Sequence, residues 1–199
     1  MGLGAFADVL PSNVNDIPQG TIGVYQPVEF VKVYSKPDLK SQIVYDKKWS
    51  YLTVSNAEYA DTLFALLKEK KELAFIYATD LDEDFVQIMY DKKKQNTGWA
   101  YKEDNFQFLP WITFYNMYGR KYGLKLLKGV PESVLELYSA SSEDAQVLGK
   151  LNRPREIRLT AIQGNWALIT ALDIEGVAKT GYIRWRGNSG ELYLFPAIK

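Results

Sequence analysis

Val31-Lys32-Val33-Tyr34-Ser35 is matched later in the chain by Leu135-Glu136-Leu137-Tyr138-Ser139. Seven residues beyond each serine a second block follows, Gln42-Ile43-Val44 against Gln146-Val147-Leu148. Aromatic-led alternating stretches come next, Asp84-Phe85-Val86-Gln87-Ile88 and Asn165-Trp166-Ala167-Leu168-Ile169. Thr97-Gly98-Trp99-Ala100 then corresponds to Thr180-Gly181-Tyr182-Ile183. Each series closes on a strand that ends in proline, Phe106-Gln107-Phe108-Leu109-Pro110 and Leu192-Tyr193-Leu194-Phe195-Pro196. Blocks that recur in the same order predict two homologous units, over 25–112 and 130–199.

Turn signals separate the blocks. Lys92-Lys93-Lys94-Gln95-Asn96-Thr97-Gly98 links two strands of the first unit, and Asp173 to Gly181 links two of the second. Short strands joined by polar, glycine-containing connections predict a mainly β chain, folded as two small barrels in tandem. An aromatic-led strand is followed by a loop, by Gly with Trp or Tyr and a hydrophobic residue, and by a short closing strand. This order resembles the bacterial SH3-like (SH3b) family, whose pattern is W-x-x-V…G-W-V. Where that family carries Trp, this chain has Phe85 in one copy and Tyr182 in the other. The resemblance implies two SH3-like barrels and a ligand groove lined by exposed Tyr and Trp. It also implies a role in binding cell-wall peptides, or in targeting and gating beside an associated hydrolase. In such enzymes the chemistry sits in a separate domain, and this chain corresponds to the accessory part.

Three segments fall outside the repeat. Ser55-Asn56-Ala57-Glu58 has the form of a capping box, and Ala60, Leu63, Phe64 and Leu67 follow at helical spacing. They predict a helix near 56–72, inserted in the first barrel. Residues 113–129 are a connecting segment, in which 112–115 and 124–127 have the makings of a hairpin around Gly119–Gly123. Residues 1–24 read as a tail. Ala5-x-Ala7 within it is the small-residue spacing of a signal-peptidase site. That spacing reads either as a signal-peptide remnant before a linker, giving a periplasmic or secreted protein, or as a plain Ala/Gly tail.

Composition narrows the chemistry. The 199 residues contain no Cys and no His, which removes Ser–His–Asp and Cys–His catalysis and thiolate or imidazole zinc sites. With 24 basic against 24 acidic side chains, no global charge draws the chain to nucleic acid or an anionic membrane. No apolar run reaches the ~18 residues of a membrane span. Asp80-Leu81-Asp82-Glu83-Asp84 imitates the start of a calcium loop, but Phe85 stands where the turn requires Gly, so a solvated turn is expected and no metal. Neither Gly-x-Gly-x-x-Gly nor a P-loop is present, and no cofactor is expected.

Aromatic side chains remain, 14 Tyr, 9 Phe and 5 Trp. Tyr34 and Tyr138 end strands whose alternate residues, Val31 and Val33, Leu135 and Leu137, are apolar. If these point inward, a period of two sends each Tyr outward. Trp185 follows Tyr182 and lies between Arg184 and Arg186, and Trp166 opens a strand after the Gly164-Asn165 turn. The candidate ligand-binding residues are therefore Tyr34, Tyr138, Trp166 and Trp185, with Trp166 also readable as a core ring. The expected function is a non-catalytic tandem binding module that takes cell-wall peptide or an envelope protein partner. The rival expectation is a structural adaptor without cell-wall affinity, docking a protein through the inserted helix.

Overall fold

Apolar and polar residues alternate at a period of two along much of the chain, which half-buries a strand. The computed structural model, which describes residues 8–49, 57–104, 107–152, 154–172 and 176–199, is accordingly mainly β. The chain divides into two compact units, Met1–Leu10 with Gly20–Trp111, and Pro11–Gln19 with Ile112–Lys199. Residues 11–19 and 113–129, expected in a tail and a connector, thus belong to the second unit. Ala5-x-Ala7 and the capping residues Ser55 and Asn56 lie outside the described residues. No helix among the described residues is long and apolar enough to cross a membrane.

The first unit contains β1 (Asp8–Val9), β2 (Gly23–Tyr25), β3 (Phe30–Tyr34), β4 (Ile43–Lys48), α1 (Ala57–Leu63), β5 (Leu66–Lys68), β6 (Leu73–Leu81), β7 (Phe85–Asp91), β8 (Asn96–Tyr101) and β9 (Phe108–Pro110). The sheet order is β1-β5-β6-β7-β8-β3-β4, and β2 bridges β6 and β9. Val31 and Val33 of β3, Ile76 and Ala78 of β6, Val86 and Ile88 of β7 and Ala100 of β8 share one core with Leu63 and Phe64. Each buried Val, Leu, Ile or Phe among them contributes roughly 1.5–3 kcal/mol by leaving water.

The inserted helix is shorter than the spacing predicts. Phe64 N–H makes the last helical bond, to Ala60 (2.9 Å), whereas Ala65 N–H turns to Phe75 O (2.8 Å). From Leu66 the chain pairs with β6 as β5. Leu63 to Leu67 are all buried, and a continuous apolar run of this length suits a strand covered on both faces as well as a helix. At that junction Lys92 Nζ donates to Phe64 O at 2.7 Å, where a cation suits the carbonyl end of a helix.

Where a hairpin was expected, a helical run leads from Trp111 into the second unit: α2 (Trp111–Phe114), a π-helical turn (Tyr115–Gly119) and α3 (Arg120–Tyr122). Its strands are β10 (Leu124–Leu126), β11 (Glu136–Tyr138), β12 (Val147–Lys150), β13 (Glu156–Gln163), β14 (Trp166–Leu172), β15 (Ala178–Arg184) and β16 (Leu194–Pro196), in the order β12-β11-β15-β14-β13-β10-β16.

Pairing in the two units corresponds strand by strand. β4-β3-β8-β7-β6-β2-β9 of the first reads as β12-β11-β15-β14-β13-β10-β16 of the second. Tyr34 faces Trp99 as Tyr138 faces Tyr182, and Phe85 faces Tyr101 as Trp166 faces Arg184. The ladder slips between Val33 and Tyr34, and likewise between Leu137 and Tyr138. A second slip falls between Ala78 and Asp80, and between Leu159 and Ala161. In neither sheet do the terminal strands pair, so both orders stay open among the described residues where closed barrels were expected.

Candidate functional site

Glu136 to Tyr138 leave a short 3₁₀ turn (Glu132–Leu135) and enter the sheet beside β15, where Tyr138 faces Tyr182. Arg184 lies two residues beyond Tyr182 on the same strand and therefore on the same face. Across the ladder Arg184 pairs with Trp166, the first residue of β14. Strand register thus converges Tyr138, Trp166 and Arg184 on one surface, and about 380 Å³ of open space lies over them. Glu143 of the β11–β12 connection, Asn188 of the turn after β15 and Tyr193 also line this pocket, as do Pro131, Ser133 and Val134.

Tyr138 meets Trp166 edge to face, with 5.1 Å between ring centroids. The Arg184 guanidinium lies over the Trp166 ring at 4.9 Å, a cation–π stack. One terminal nitrogen of Arg184 donates to Asn188 Oδ1 at 3.0 Å, and the other donates to a Glu143 carboxylate oxygen. The Tyr138 hydroxyl donates to Glu136 Oε2 at 2.9 Å. That bond, reinforced by burial and by the negative charges of Glu136 and Glu143, holds the phenol above its ordinary pKa although Arg184 pulls it down. Tyr138 therefore stays a neutral donor. These groups can stack, donate and accept hydrogen bonds, and pair with charge, which is the equipment of recognition.

Two of the four expected residues meet here and two do not. Tyr138 is half-buried, and Trp166, 7% exposed beneath Arg184 and Tyr138, still lines the pocket. Tyr34 is 9% exposed in the other unit, its ring edge-on to Phe85 at 6.2 Å. Alternation and register put it on the face of Phe85 and Tyr101, as they put Tyr138 on that of Trp166 and Arg184, but here the packed rings cover it and leave it no open surface. Trp185 is 1% exposed. Its indole N–H donates to Gly164 O at 2.9 Å and its ring lies 4.6 Å from Tyr115, so it is a core residue. The ring that covers it, Tyr115, comes from the helical run that follows Trp111.

Glu143 and Asn188 had no motif to mark them. Arg184 could have been found by pairing the strand beginning at Trp166 with the strand ending at Arg184. Of the acidic stretch, Asp80 lies at the end of β6 and 82–84 form the β6–β7 turn, with Asp80 and Asp82 accepting from Leu81 and Glu83 N–H and Asp82 N–H reaching Phe85 O. No metal-holding group of three or more acidic side chains occurs among the described residues. No family model matches the chain, and no curated protein does.

Proposed function

We propose that the chain is a non-catalytic tandem SH3-like binding module of the cell envelope, which takes cell-wall peptide or an envelope protein partner on its aromatic side chains. The observation that carries this reading is the Tyr138–Trp166 pair lining a 380 Å³ pocket beside Arg184. Rigid rings with a polar edge bind extended peptides at small entropic cost. The tandem part rests on the strand order and ladder slips common to both units, and on the sequence blocks that fall at the same places in each. The absence of His and Cys supports a binding role over nucleophilic catalysis, and Ala5-x-Ala7 is the support for export to a periplasmic or secreted location. Tyr34 and Trp185 act as braces in this reading, leaving Tyr138 and Trp166 as ligand-binding residues.

Co-sedimentation with purified peptidoglycan sacculi tests it. The full chain is expected in the pellet, and Tyr138→Ala should weaken binding about tenfold, the usual effect of truncating an interfacial ring. A chain that stays in the supernatant at all sacculus concentrations, while remaining folded, sinks the cell-wall assignment.

A further inference from the structure

The geometry points to a carboxylate-bearing peptide as the ligand of the second unit's pocket, its anionic group taking on Arg184 the place that Glu143 holds in the free protein. This deepens the reading of the pocket as a peptide site and rests on it. Arg184 is fixed by the fold on two sides, with Trp166 against its guanidinium at 4.9 Å and Asn188 on one terminal nitrogen at 3.0 Å. Its side chain is 19% exposed, whereas that of Glu143, which accepts from the other terminal nitrogen, is 65% exposed. The arrangement is lopsided. A largely buried cation, the one base among the described residues lining the pocket, has its anionic partner on an exposed side chain of the 139–146 connection.

An ion pair with one partner in solvent contributes little, so exchanging Glu143 for an incoming carboxylate loses little. The planar fork of a guanidinium matches a carboxylate, and it is pre-set here because two contacts already hold it. Glu143 is then an internal stand-in for the ligand. A cationic ligand fits less well, because Arg184 already covers the Trp166 face. Tyr138 and Tyr193 line the same space and are placed to contact the peptide around its acid group. The equivalent of Arg184 in the first unit is Tyr101, stacked edge-on against Phe85 at 5.5 Å, so this anion site belongs to the second unit.

Isotope-labelled full chain titrated with three capped alanine tripeptides tests the inference by NMR. One carries a free C-terminal acid, one a C-terminal amide, and one is the amide with Glu in the middle. The acid, the Glu peptide or both should shift the Arg184 Nε–H and Trp166 indole signals, and the pair of results tells a C-terminus from an acidic side chain. Glu143→Gln should tighten that binding roughly two- to fivefold, by removing the competitor. Arg184→Lys, which keeps the charge and loses the fork, should weaken it, and circular dichroism confirms that this variant folds. Equal response to the amide, no shift at Arg184 from either acid peptide, or no tightening in Glu143→Gln overturns the proposal. Sacculus binding without discrimination between acid and amide removes this inference and leaves the cell-wall reading standing. Discrimination without sacculus binding does the reverse.

Discussion

Trp166 and Trp185 both come from the second unit, yet one lines a pocket and the other fills the core. Trp185 has its indole N–H satisfied by Gly164 O and its ring against Tyr115. Trp185→Ala should therefore destabilise the unit by roughly 3–5 kcal/mol, the range for emptying a buried aromatic site. Tyr138→Ala removes an edge contact to Trp166 and a bond to Glu136, together on the order of 1 kcal/mol. Denaturant titration of the two variants checks this ordering, and a Tyr138→Ala loss as large as that of Trp185→Ala would make Tyr138 a core ring. Which residue types would carry recognition was legible from composition, because aromatics are what remain once His and Cys are absent. Which individual rings are open was not. Alternation assigns a face but not what covers it: Phe85 packs on Tyr34, whereas the matching face at Tyr138 leaves a pocket.

Elements whose pattern had a single solution were readable. Phe85 to Ile88 and Trp166 to Ile169 lie in β7 and β14, and Gly98 and Gly181 lie in the strands that follow each. Ile112 to Tyr115 is as apolar as a strand, so its composition suggests a hairpin where a helical run forms. Yet Trp111, Phe114, Tyr115, Tyr118 and Tyr122 recur at helical spacing, and Gly123 at φ 75° follows as a helix stop. Gly98 and Gly181 have a physical reason that the motif alone does not state. A Cβ on Gly98 would stand 2.5 Å from Val33 Cγ1 and 3.0 Å from Tyr34 O, and one on Gly181 would stand 3.0 Å from Tyr138 O and 3.2 Å from Leu137 Cβ. Each glycine lets β3 or β11 approach β8 or β15 where the ladder slips. Gly98→Ala should cost roughly 1–3 kcal/mol, since a short β-branched core side chain cannot swing away, and Gly181→Ala should cost less. Thermal melts of both variants provide the comparison, and a neutral Gly98→Ala would mean that β3 yields more easily than its neighbours imply.

Across the whole molecule the same pairing carries different chemistry in its two halves. Phe85 and Tyr101 close a ring stack in the first unit where Trp166 and Arg184 face a pocket in the second. Phenols wholly or partly withdrawn from water are common to both. In the first unit, burial and then the charge of Glu103 push Tyr25 up to about 12, while burial and the 2.9 Å bond to Tyr59 raise Tyr45. In the second, burial and then Tyr122 raise Tyr118. An unfolded chain releases tyrosine protons near pH 10, and the folded chain still holds that of Tyr25 up to about 12. Across this window the folded state binds more protons, so stability is intact below pH 10 and declines as pH rises toward 12. Tyr25, 4% exposed, accounts for on the order of 2 kcal/mol of that decline. Tyr25→Phe has no proton to lose, and its denaturation midpoint should fall less steeply between pH 10 and 12 than that of the parent chain. Parallel declines in the two proteins would show that the Tyr25 phenol ionises in the folded state as readily as in the unfolded one.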